Sequence, residues 1–153
     1  MSDLKTFSPG FRYLAGYYGI LQTVHIFLLV RAGLYLLSTG TVLFPALPPA
    51  NGWSAQVIPF LLGMGALDGA AAGLGVFSAI SLFGKKHFDS RLWILSLGIA
   101  LTSAIIFTAG TLASGAWNYH PLAYILLVIF FSPLFPLFYK IFRISGNKDK
   151  FSQ

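Results

Sequence analysis

The chain has 153 residues, of which 56% are hydrophobic and only 9% charged, with a mean hydropathy of +0.76. A soluble domain carries about a quarter charged residues, so these cannot cover a water-facing surface, and the composition excludes an ordinary soluble fold. Ten Lys and Arg stand against four Asp and no Glu, giving a formal charge of +6; the cations sit at the edges of apolar runs, which points to lipid headgroups and away from nucleic acid. With no cysteine, disulfides, thiolate metal sites and cysteine nucleophiles are all ruled out.

In chain order, a polar leader carrying Lys5 and Arg12 precedes a first apolar run at 13–37. The apolar core of a signal peptide is roughly 7–15 residues. This run is longer and contains Gln22, His25 and Arg31, so it is expected to be a retained helix. Three more runs follow at 56–83, 92–113 and 121–142, each near the ~20 residues that cross ~30 Å of hydrocarbon. The segments between them hold helix breakers. Gly40, Pro45, Pro48, Pro49, Asn51 and Gly52 separate the first two runs, Gly84 to Arg91 the next two, and Ser114 to Pro121 the last two. The expectation is an all-α, polytopic membrane protein: one membrane domain forming a four-helix bundle.

Orientation follows from the cations. Lys5 and Arg12, then Lys85, Lys86 and Arg91, then Lys140, Arg143, Lys148 and Lys150 all fall on one side, and the first and third connections have no Lys or Arg. Positively charged loops stay inside, so both termini are expected in the cytoplasm, with Trp53, Trp117 and Tyr119 at the outer boundary. For a bacterial chain that places the protein in the cell inner membrane. The residues from Ile144 to Lys150 read as a solvated extension.

Two features concern packing. Gly65, Gly69 and Gly73 recur every four residues in the second helix and are expected to line a helix–helix seam. Ser132, Pro133 and Pro136 are expected to kink the fourth. In the third, Thr102, Ser103, Thr108 and Thr111 can return hydrogen bonds to their own backbone, which is their ordinary role in a membrane helix.

The chemistry is concentrated in the first two helices. His25 and Asp68 fall near the bilayer midplane, and Arg31 lies six residues beyond His25, about 9 Å nearer the outside at 1.5 Å per residue. An ionised side chain at such depth costs several kcal/mol unless paired or hydrated. Arg31 is the first candidate partner for Asp68 and His25 the alternative, while Tyr18, Gln22 and His25 follow one polar stripe. Three readings stay open. Arg31 and Asp68 pair to fix helix register; or Asp68, Arg31, His25, Gln22 and Tyr18 line an outward-opening pocket for a small amphipathic ligand or a proton; or Arg31 snorkels outward and Asp68 stays protonated.

No metal site is expected, because His25, His87 and His120 fall at three depths without ligand spacing. A tetrapyrrole would need only one axial histidine, His25 or His120, and the sequence leaves the cofactor unassigned. There is no phosphate-binding Gly-Lys loop and no zinc-protease pattern.

The stretch Leu67-Asp68-Gly69-Ala70-Ala71-Ala72-Gly73-Leu74-Gly75-Val76-Phe77, followed by Lys85-Lys86, with Arg31 in the first helix and a Pro-rich first connection, resembles the DoxX-like small bacterial membrane proteins. The resemblance implies a four-helix bundle; members of that group vary in activity, some resembling quinone-linked redox subunits, and no catalytic residue transfers. The leading expectation is a non-catalytic accessory or interaction subunit of a larger membrane assembly, or a homo-oligomer, surrounded by lipid. The alternative is a binder or carrier of a lipid, quinone or proton-coupled solute. An enzyme comes third and would need a further polar group beside Asp68, such as Tyr18, Tyr124 or His120.

Overall fold

The computed structural model describes residues 7–40, 47–84 and 87–148. Lys5, Pro45, Lys85, Lys86 and Lys150, on which parts of the orientation and boundary readings rest, lie outside the described residues. Among the described residues every regular element is helical: α1 (Pro9–Thr39), α2 (Ile58–Phe83), α3 (Ser90–Ala113), the single turn α4 (Ala116–Tyr119), α5 (Pro121–Phe131) and α6 (Leu134–Lys148). Four helical stretches are long and apolar enough to cross a membrane, the fourth being α5 and α6 in succession over Pro121–Gly146.

Local chemistry sets the ends. Ser8 caps α1 by accepting from the Phe11 amide at 3.3 Å, and Pro9 sits in the first turn, where its missing N–H costs nothing. Gly40 closes α1 in the left-handed region at φ 68°, its amide reaching the Leu36 carbonyl at 2.8 Å. Asp89 caps α3 through the Arg91 amide at 2.9 Å. Gly115 turns the chain out of α3 at φ 76°, a conformation that is easy for glycine alone.

The helices alternate in direction, and α2 lies between α1 and α3. α6 packs against both α3 and α1, closing the ring at the end of the bundle that carries Pro9, whereas α5 leans on α3 and α4. The expected kink is a break. Ser132 and Pro133 form a turn between α5 and α6, with the Ser132 hydroxyl donating back to the Ile129 carbonyl at 2.9 Å. The break lets the two halves differ. α6 buries Leu134, Leu137 and Ile141 on one stripe, and α5 buries only Tyr124, whose hydroxyl donates to the Leu47 carbonyl at 2.6 Å. α6 also runs on to Lys148, so most of the stretch expected as a solvated extension continues the helix begun by that stripe.

The glycine seam is offset from the expected repeat. Gly65 and Gly69 do face α1, where a methyl group would meet the Leu29 side chain at 3.9 and 3.7 Å, but Gly73 is exposed with nothing within 4 Å. The close approaches fall elsewhere. A Cβ on Gly19 would stand 2.7 Å from the Ala79 methyl, and one on Gly75 would stand 2.9 Å from both Gln22 Cγ and Tyr18 Cε1. In lipid, where tails are as apolar as side chains, such packing is the main source of helix association. Gly19→Ala is therefore expected to destabilise the bundle by about 1–3 kcal/mol through overpacking. Adding Ala79→Gly in the same chain should restore most of that loss, as read by unfolding titration in mixed micelles.

Candidate functional site

Three helices each bring one polar side chain to the middle of the bundle. His25 is the seventeenth of the 31 residues of α1, Asp68 the eleventh of 26 in α2, and Ser103 the fourteenth of 24 in α3. All three lie within about 4 Å of their helix centres along the axis, at 1.5 Å per residue. Antiparallel packing then sets them at one level. His25 Nε2 lies 3.7 Å from Asp68 Oδ2, and the Ser103 hydroxyl donates to Asp68 Oδ1.

The carboxylate is thus held from two sides, on one oxygen by a hydroxyl and on the other by the imidazole. The Ser103 bond is close and direct. The His25 contact is longer than a hydrogen bond, an electrostatic contact that leaves room at the second oxygen. The His25 side chain keeps 18% of its surface exposed and that of Asp68 keeps 23%, so the pair is not sealed into the core.

One to two helical turns toward the Pro9 end, a second polar layer is packed shut. The Tyr18 hydroxyl and Ser96 Oγ lie 2.6 Å apart, and Ser96 donates to the Ala71 carbonyl at 2.8 Å. Gln22 is 1% exposed, and its Oε1 has no hydrogen-bond partner among the described residues. Trp93 stacks at a tilt beside Tyr18 with ring centroids 5.8 Å apart, and an aromatic cluster of Phe7, Phe11 and Phe88 continues toward the end of the bundle. This layer forms the floor beneath His25 and Asp68.

Arg31 is not part of the cluster. It is exposed on the half of α1 away from Pro9, and among the described residues the basic side chain that meets Asp68 is His25. The physical reason is angular: His25 and Arg31 differ by about 120° around an ideal helix, and α1 turns its His25 face to α2. His87 lies between α2 and α3, and His120 immediately precedes α5, at opposite ends of the bundle from each other. Among the described residues no group of three or more His and Asp side chains is placed to hold a metal ion.

Ser103, expected to serve its own backbone, and Ser96, for which the sequence suggests no role, both belong to the polar layers. Ser103 does not bond back to its own helix but crosses to Asp68, and Ser96 crosses to α2 as well. Their spacing carried a signal. Seven residues is close to two turns, so both hydroxyls sit on the α3 face that also buries Trp93, Leu97 and Ala100.

Fold and site together define an integral, multi-pass membrane protein of four spanning helices with a polar cluster at mid-depth. Comparison of the chain with protein-family models, with curated proteins and with solved structures gives no match in any of the three.

Proposed function

We propose that the protein is a non-catalytic binder or carrier of a small lipid-soluble molecule with a hydrogen-bonding head, held at His25, Asp68 and Ser103. The observation that carries this reading is the partial exposure of the His25–Asp68 pair near the bilayer centre. A pair that served only to fix register would be expected closed and dry, because an open carboxylate at that depth costs several kcal/mol. Asp68 and His25 between them offer both a donor and an acceptor, which suits a head group such as a quinone carbonyl, a lipid hydroxyl or a solute that travels with a proton. Gln22 and Tyr18 close the inner side, and Arg31 stands off the site.

The test is the composition of the particle extracted gently from its native membrane. The expected result is a small particle that carries one ligand per chain and loses it on substitution of Asp68. A particle with no small molecule in stoichiometric amount sinks the reading.

A second reading, an accessory subunit packed against a larger partner or a second copy, is favoured by the outer half of α1. From Gly33 to Gly40 every residue is exposed, and Arg31 just below them has no ion-pair partner among the described residues. A cation at that depth calls for a neighbour or a headgroup. A large assembly of defined partners on extraction would support this second reading. The positive-inside rule applied to Arg12, Arg91, Lys140 and Arg143 puts the Pro9 end of the bundle in the cytoplasm. The likeness to DoxX-like proteins is one of layout and adds no residue role to either reading.

A further inference from the structure

Near the Pro9 end of the bundle, on the α2–α3 side, a cavity of about 230 Å³ is lined by Phe77, Ser78, Ser81, Leu92 and Trp93, with His87 and Asp89 at its solvent side. Ser78 lies ten residues from Asp68 along α2, about 15 Å at 1.5 Å per residue, so this is a separate place from the midplane cluster. Two of its wall residues are anomalous. Ser78 is 2% exposed and Trp93 0%, and among the described residues neither Ser78 Oγ nor Trp93 Nε1 has a hydrogen-bond partner.

An orphaned buried donor costs about 1–3 kcal/mol, and a serine in a helix ordinarily avoids that by bonding to the carbonyl a turn back. Among the described residues Ser78 makes no such bond, and the indole of Trp93, which can only donate, has no acceptor either. Both residues line the same cavity. Water is a poor occupant, since a volume near 230 Å³ would take about eight molecules at ~30 Å³ each, every one needing 2–4 polar partners. The walls provided by Phe77, Leu92 and the Trp93 ring are apolar. Phe77 is itself exposed on the outside of α2, so the cavity is bordered by the lipid-facing surface of the bundle.

We propose that this cavity binds the ester-linked start of a membrane lipid's acyl chain, with the ester carbonyl accepting hydrogen bonds from Trp93 Nε1 and Ser78 Oγ. The requirements are an apolar body, an acceptor with no donor of its own, and a position at the membrane boundary. Trp93 is the fourth residue of α3 and Ser78 the sixth from the end of α2, within about 8 Å of their helix ends at 1.5 Å per residue. At that level the glycerol esters lie. Tyr18 and Phe88 hold the Trp93 ring by contacts at centroid distances of 5.8 and 6.4 Å, so the donor is fixed before the lipid arrives.

The experiment offers the purified full chain an equimolar mixture of diester and diether phosphatidylglycerol with identical chains, and weighs the lipid retained by native mass spectrometry. The ether lacks only the carbonyls. The expected result is enrichment of the diester by about three- to tenfold, the range of one or two neutral hydrogen bonds. Trp93→Phe keeps the ring and removes the donor; Ser78→Ala removes the other. Each is expected to lower the enrichment, and the double variant to abolish it. Equal retention of both lipids, retention of neither, or an enrichment unchanged in both variants overturns the proposal. Should Trp93→Phe fail to fold, the indole N–H proton resonance of the wild-type chain replaces it, with a diester-dependent downfield shift expected and an unchanged position counting against the assignment. Loss of the midplane ligand on Asp68→Asn leaves this enrichment untouched, so the two sites succeed or fail separately.

Discussion

Gly75→Leu is expected to abolish the folded bundle, and Gly75→Ala to destabilise it by about 1–3 kcal/mol, the usual cost of forcing a methyl into a packed core. The first added carbon would lie 2.9 Å from Gln22 Cγ, 2.9 Å from Tyr18 Cε1 and 3.1 Å from Ser96 Oγ. None of the three is free to retreat. Tyr18 is fully buried and tied to Ser96, Ser96 is tied to the Ala71 carbonyl, and Gln22 is buried against the same face. Leucine would add three more carbons to that space. Gly73→Ala is the matched control, because nothing lies within 4 Å of a carbon added there. It should be neutral or stabilise by up to about 1 kcal/mol from helix propensity. Unfolding in mixed micelles followed by tryptophan fluorescence checks both. Equal tolerance of Gly75→Leu and Gly73→Ala would mean that α1 does not cross α2 at Gly75.

That contrast shows where a sequence can be read and where it cannot. The four spans were legible because lipid imposes length and apolarity, and because Pro, Gly and Asn leave unmistakable interruptions. Depth was legible too: counting along α1 and α2 brings His25 and Asp68 to one level, where the structure has them in contact. Rotation about each helix axis was not. Gly65, Gly69 and Gly73 make the tidier repeat, yet the close contact falls on Gly75 because Tyr18 and Gln22 of α1 project there. Arg31 has the right charge and nearly the right depth for Asp68, but it is exposed on α1. Ser103 was silent for a different reason. A hydroxyl in a membrane helix can satisfy itself on its own backbone, so its sequence context does not reveal that it reaches across to Asp68.

Asp68→Asn should separate ligand binding from stability. Asparagine keeps the shape of the side chain and can still accept from Ser103, but it loses the charge that faces His25 at 3.7 Å. Replacing one member of a buried ion pair is usually destabilising by about 3–5 kcal/mol because it strands the other charge. Here the survivor is a histidine, whose neutral imidazole carries one donor and one acceptor, so removing the carboxylate strands no obligatory charge. The carboxylate itself was costly to hold at mid-depth. The folded bundle should therefore be unchanged in stability or gain about 1 kcal/mol, within the range seen when buried ion pairs are removed cleanly. Ligand retention should behave in the opposite way. A hydrogen bond to a charged group contributes about 1.5–3 kcal/mol, so occupancy of the extracted particle should fall by tenfold or more at 1.4 kcal/mol per decade. Both readouts come from one sample, stability by unfolding titration and occupancy by native mass spectrometry. A drop in stability of several kcal/mol with any bound molecule unaffected would make Asp68 a packing residue that locks α1, α2 and α3 in register. Stability held and the ligand gone would mean that the protein maintains an uncomfortable carboxylate in the membrane because something else binds to it.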